Sequence, residues 1–198
     1  MGKTKEEILI AALHLFARDG YEAVSVSQIA GELNMTKGAL YRHYQSKRDI
    51  FDHIVERMEQ GDEAQANQSG VPADSVQNMP EKYCTTPLSK LVEYSKSMFT
   101  YWTEDDFAAS FRRMLTLEQF RSREMQALYQ QYLVAGPVRY VKDLFDSIGI
   151  ADAEYNAAKF YSTMFLFYSI YDGAEGKTAV KEQFERAIHQ VAEECSYV

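Results

Sequence analysis

The chain is 198 residues long, 46% apolar and 25% charged, which allows one or two domains with a substantial core and excludes disorder throughout. Its formal net charge is −8, unevenly spread: residues 1–50 carry seven Lys/Arg against six Asp/Glu, and the remainder carry 14 against 23. A near-neutral head on an acidic body suits a small nucleic-acid-reading module with local basic groups, although charge alone reads more simply as an acidic soluble protein.

Cys84 and Cys195 are the two cysteines, far apart in sequence, so neither a disulfide framework nor a cysteine metal site is expected. No signal-peptide core opens the chain. The longest strongly apolar run, residues 160–171, is broken by Ser162, Thr163 and Ser169 and is too short to span a bilayer. A cytoplasmic protein with free thiols and no membrane segment is expected.

Helical periodicity is widespread and strand alternation is lacking, so the fold class is all-α, with about nine helices. The first helix runs from Thr4 to Asp19, opened by a Thr4/Glu7 capping box and stopped by Gly20; Ile8, Ala12, Leu15 and Phe16 form its apolar stripe. A second helix follows a Ser25/Gln28 box and buries Val26, Ile29, Ala30 and Leu33. Asn34 sits where the chain must reverse, and asparagine tolerates the left-handed conformation. Met35 plugs that corner. The third helix starts at Thr36, with Leu40 and Tyr44 inward. A connecting helix at 46–60 is capped by Ser46 and Asp49 and carries the stripe Ile50, Phe51, Ile54, Val55 and Met58. These signals divide the chain into a helix-turn-helix head at 1–47 and a helical body at 61–198.

Residues 61–87 are polar and hold three of the four prolines, so they form a mobile loop or conceal a short helix. Body helices are expected at roughly 88–103, 106–120, 122–148, 153–172 and 179–195. Pro137 should kink or split the third of these, and Asp152 and Thr178 are the candidate caps. The last helix shows the stripe Val180, Phe184, Ala187, Ile188, Val191 and Cys195. The helix before it is apolar on nearly every side between 160 and 171, which calls for burial all round and hence a partner subunit.

Thr36-Lys37-Gly38 breaks two local rules side by side. A lysine in a helix's first turn opposes the dipole at roughly 0.3–1 kcal/mol, and a glycine there costs up to about 1 kcal/mol relative to alanine. A phosphate would supply the reason: free N–H groups, close backbone approach at Gly38, and charge from Lys37. Tyr41 lies one turn on, with a hydroxyl able to reach phosphate or a base edge. Ala39 is small enough to meet a thymine methyl, and Arg42 has the fork that binds guanine. His43 and Lys47 flank this surface as backbone clamps, and Ser25 and Ser27 offer a second phosphate site at the preceding helix. Spacing alone equally describes a solvated helical hairpin kept soluble by Lys37 and Arg42.

The stretch resembles the TetR family of bacterial transcription regulators. The resemblance rests on Leu15-Phe16, Gly20-Tyr21, Ser27-Gln28-Ile29-Ala30, and above all the run from Thr36 through Lys37, Gly38, Leu40, Tyr41 and Tyr44 to Ser46-Lys47. It covers about 45 residues. Asn34 departs from the glycine frequent in the family, which leaves the backbone shape unaffected. The body shows no family motif. The resemblance implies a homodimer paired through the last two helices, two heads in successive major grooves of a near-palindromic operator, and a small-molecule effector bound in the body.

Candidate pocket residues are Tyr94, Met98, Tyr101, Trp102, Phe107, Phe111, Met114, Tyr129, Tyr132, Tyr161, Met164, Phe165 and Tyr168. Any one of them is more simply a core residue at helical spacing. Tyrosines in an acidic body favour an aromatic or cationic effector. His14, His43, His53 and His189 are scattered, and no HExxH, phosphate loop or nucleophile elbow is present, so no enzyme, metal or cofactor is expected. The competing reading is a helical small-molecule-binding protein or adaptor whose DNA head no longer functions.

Overall fold

The computed structural model describes residues 4–196, and these form eleven helices and no strand. They are α1 (Lys5–Asp19), α2 (Val26–Glu32), α3 (Lys37–Leu40), α4 (Lys47–Ser69), α5 (Pro80–Thr85), α6 (Leu88–Glu104), α7 (Asp106–Glu118), α8 (Arg123–Leu133), α9 (Ala135–Ile148), α10 (Ala153–Gly173) and α11 (Lys177–Ser196). Two more helices appear than the periodicity predicts. One is α5, concealed in the polar stretch and opened by Pro80, whose missing N–H costs nothing at a first turn. The other comes from the break between α8 and α9. Pro137 cannot donate to the Leu133 carbonyl, and that freed oxygen accepts the Tyr161 hydroxyl at 2.9 Å.

Three boundaries differ from expectation. The connecting helix continues past 60 to Ser69, because nothing at Gly61 stops it and Gly70, at φ +68°, does. In the added turns Ala66 is buried and Asp62, Gln65 and Ser69 are half-buried, a helical spacing written in polar residues. Asp152 precedes α10 in the left-handed region and makes no side-chain cap. Thr178 lies within α11, not at its cap.

The chain divides into two compact units, one running to Gly61 together with Asp105–Tyr129, the other comprising Asp62–Glu104 and the chain from Gln130 onward. The first unit is thus larger than the three-helix head at 1–47, because α7 packs on α1. That packing accounts for the burial of Leu9 and Leu13 in addition to the Ile8, Ala12, Leu15 and Phe16 stripe. In the second unit α10 packs on α6, α9 and α11, and α5 on α9. Phe99 is sandwiched there between Tyr168, 5.6 Å away, and Phe184, 4.1 Å away, both stacked.

Candidate nucleic-acid interface

The helix-turn-helix is built from local chemistry. The Ser25 hydroxyl accepts from the Gln28 N–H, and the Gln28 side chain accepts from the Ser25 N–H at 2.8 Å, so both capping-box bonds are made. Asn34 turns the corner at φ 54°. The Met35 N–H returns to the Ala30 carbonyl at 2.9 Å, closing the end of α2, and its side chain is half-buried in the corner. Thr36 then caps α3, its hydroxyl accepting from the Ala39 N–H at 3.1 Å. From behind, Leu40 is fully buried, and Tyr44 is pinned by its hydroxyl to the Lys5 carbonyl at 3.1 Å.

The opposite side is open. Lys37, Gly38, Tyr41 and Arg42 are exposed, Ala39 and His43 half-exposed. The Lys37 ammonium lies 5.7 Å from the centre of the Tyr41 ring. A methyl added at Gly38 would meet nothing within 4 Å, and Gly38 has no left-handed backbone. Neither packing nor conformation inside the molecule therefore asks for glycine at this position. Ser27 is exposed beside the capped end of α2, and the Ser25 hydroxyl is occupied by its box.

Lys47, expected as a backbone clamp, also bonds within the head. Its ammonium donates to the Tyr21 carbonyl at 2.8 Å and lies 4.2 Å from the Tyr21 ring centre, so most of its bonding is spent on the loop between α1 and α2. An ammonium has three donors, and the Glu22 carbonyl takes a second at 3.4 Å. The loop is held from a second side by Glu118 of α7, which sequence reading misses. Its buried carboxylate accepts the Tyr21 N–H at 3.0 Å. Only the geometry of α7 against α1 brings these residues together, across 97 positions of sequence.

Gly20 sits beneath that carboxylate at φ +87°, where a Cβ would come within 2.5 Å of Glu118 Oε1. Gly20→Ala is therefore expected to destabilise the first unit by about 1–3 kcal/mol through backbone strain and a displaced buried carboxylate. A fall in urea midpoint at unchanged slope would show it; an unchanged midpoint would mean the loop relaxes freely.

The candidate pocket residues are distributed over both units. Phe107, Phe111, Met114 and Tyr129 are buried in the first unit, with Phe111 and Met114 fully closed off. In the second unit Tyr101 lies against Trp102, and Trp102 against Tyr132 at 6.4 Å. Met98, Tyr161, Met164 and Tyr168 are buried there as core residues. Tyr94 belongs to a separate cluster with Tyr140, 6.0 Å between ring centres. Phe165 is 40% exposed on α10, with its ring 6.5 Å from that of Tyr161. The histidines stay apart, His14 paired with Asp106 at 2.7 Å and His53 with the Asp49 carbonyl at 2.8 Å. Among the described residues no cluster could hold a metal ion, and no helix is long and apolar enough to cross a membrane.

Residues 8–54 match the family of bacterial regulatory proteins known as the tetR family. Over 57 residues the chain is 39% identical to the transcriptional regulator AcrR of Shigella flexneri, covering 29% of this chain and 26% of that protein. Over 51 residues it is 35% identical to IcaR, the negative regulator of the biofilm operon in Staphylococcus aureus, covering 26% and 27%. The match thus spans about a quarter of these curated relatives. The fold as a whole is similar to a transcriptional regulator of Aquifex aeolicus VF5, with a TM-score of 0.72 at 17% identity over 96% of this chain and 99% of that one. SmeT in complex with triclosan gives 0.71 at 17% identity over 96% and 90%.

Proposed function

We propose that this chain, whose residues 8–54 belong to the tetR family of bacterial regulatory proteins, is a ligand-responsive repressor of transcription. It binds a near-palindromic operator as a homodimer and is released by a small molecule. In this reading residues 1–47 contact DNA, α4 connects, and the chain from 61 onward binds the effector and dimerises in the cytoplasm. No catalytic role is assigned.

The observation that carries the DNA half is the vacant Cβ position of Gly38 beside exposed Lys37, Tyr41 and Arg42. A residue that weakens its own helix and fills no internal need is explained by an external backbone that approaches closely. Lys37, Tyr41 and the open N–H groups of α3 then meet phosphate, and Arg42 and Ala39 meet base edges. IcaR is a negative regulator and SmeT binds triclosan. Both relatives support the repressor and effector parts of the reading.

Gly38→Ala separates fold from function. It is expected to stabilise the protein by about 0.5–1 kcal/mol, and to weaken binding to DNA from the region upstream of its own gene about tenfold. Lys37→Ala should weaken binding on all sequences and lower the slope of log affinity against log salt by about one. Gel-shift and salt titrations check both. Variants that bind DNA like the parent would overturn the assignment of this surface; a parent with no duplex affinity would favour the adaptor reading instead.

A further inference from the structure

The distal turns of α4 half-bury a carboxyl group, that of Asp62. Asp62 has one oxygen, Oδ1, closed off from solvent and without a hydrogen-bond partner. Burial alone pushes its pKa up to about 7, with no cation contributing. Its negative charge reaches Tyr94 of α6, whose hydroxyl is itself pushed up, chiefly by burial. Tyr94 makes no hydrogen bond to the described residues. Around it, Tyr140 of α9 lies 6.0 Å away, and Tyr83 of α5 packs edge-on to Tyr140 at 5.9 Å.

The hydroxyls of those outer two rings are already committed. Tyr140 donates to the Pro72 carbonyl at 3.0 Å and Tyr83 to the Asp74 carbonyl at 3.1 Å. They are fixed walls. The groups left with bonding capacity are the Asp62 carboxylate of α4 and the Tyr94 phenol of α6, two helices that meet where the Ser97 hydroxyl donates to the Gln65 side chain at 3.5 Å. A buried acceptor with no donor is costly unless something completes it. A positive charge answers the carboxylate and the ring faces together. An N–H answers the unbonded carboxylate oxygen and the phenol oxygen, which a quaternary ammonium cannot do.

We propose that Asp62 and Tyr94, walled by Tyr83 and Tyr140, bind the protonated amino group of a primary or secondary amine carrying an apolar substituent. Met98, one turn along α6 from Tyr94, is buried on the same helical face and offers apolar contact to that substituent. Asp62, Tyr83 and Tyr140 lie outside the aromatic set that periodicity selects. The proposal deepens the regulator reading, on which the role of this amine as effector rests, but its binding chemistry is testable without DNA.

The test is calorimetric titration of the full chain with 2-phenylethylamine and hexylamine, each against the alcohol of the same skeleton. At least one amine is expected to bind about tenfold or more tightly than its alcohol, the range of a charge-assisted hydrogen bond. Asp62→Asn keeps the side-chain shape and should abolish that preference; Tyr94→Phe should reduce it several-fold. Equal binding of amine and alcohol, failure of both amines to bind, or a preference that survives Asp62→Asn overturns the proposal. Duplex binding without amine is measured in parallel. Its absence would count against the regulator reading while leaving the amine preference intact.

Discussion

Asp62→Asn is expected to make the protein more stable at about pH 8 and to change it little at about pH 4. The folded carboxyl holds its proton up to about pH 7, whereas the unfolded one releases it near 3.8. Folding therefore takes up a proton between those values, and stability falls as pH rises through the window. The penalty is absent below it and complete above it. In full it would correspond to about 4 kcal/mol. Asp62 keeps part of its surface in water, so about 2–3 kcal/mol is the expected gain for the amide, or roughly 5–10 °C in midpoint for a chain of this length. The phenol that the Asp62 charge reaches is Tyr94, itself pushed above its ordinary range chiefly by burial, so it does not titrate in this window. Paired thermal scans of parent and variant across pH isolate the one group, since all others cancel. A difference independent of pH would show that Asp62 is not the buried acid described above.

The same residue marks where sequence reading stops. The head was legible because its signals are local: the Ser25/Gln28 box, Asn34 at the reversal and Thr36 at the next cap each act within four residues, and each bond is made. Leu40 and Tyr44 face inward as their spacing requires. Beyond α4 the information becomes tertiary. Residues 61–69 look like linker because an apolar template finds nothing there, yet Asp62, Gln65, Ala66 and Ser69 fall at helical intervals. Glu118 reads as an ordinary surface acid at the end of α7 until Tyr21 is placed beside it. The aromatic residues of the body carry helical spacing in every direction, and spacing cannot say that Tyr168 faces inward while Phe165 faces out. Lys47 was identified by type and position but not by its commitment to the Tyr21 carbonyl.

If the proposed homodimer forms through α10 and α11, Leu166→Glu is expected to leave the protein monomeric and to lower operator affinity by roughly a hundredfold or more, as joined half-sites become separate ones. Within one chain α10 buries Phe160, Tyr161, Met164, Tyr168 and Tyr171, but leaves Leu166 57% exposed, with Tyr155, Phe165 and Ile170 also on the outside. An outward apolar row on one helix is the surface that the proposed subunit contact would cover. Two copies joined there would bury four helices together, α10 and α11 from each. A glutamate at the centre of that contact would be stripped of water with nothing to pair it, whereas in the isolated chain it remains solvated. Glutamate is as good a helix former as leucine, so helicity should be retained. Leu117→Glu supplies the control, the same change at a residue 48% exposed on α7, where no loss of mass is expected. Sedimentation of both variants decides the matter: a Leu166→Glu protein that remains dimeric would place the interface elsewhere, and one that is monomeric yet holds the operator at parental affinity would show that the two heads do not act together.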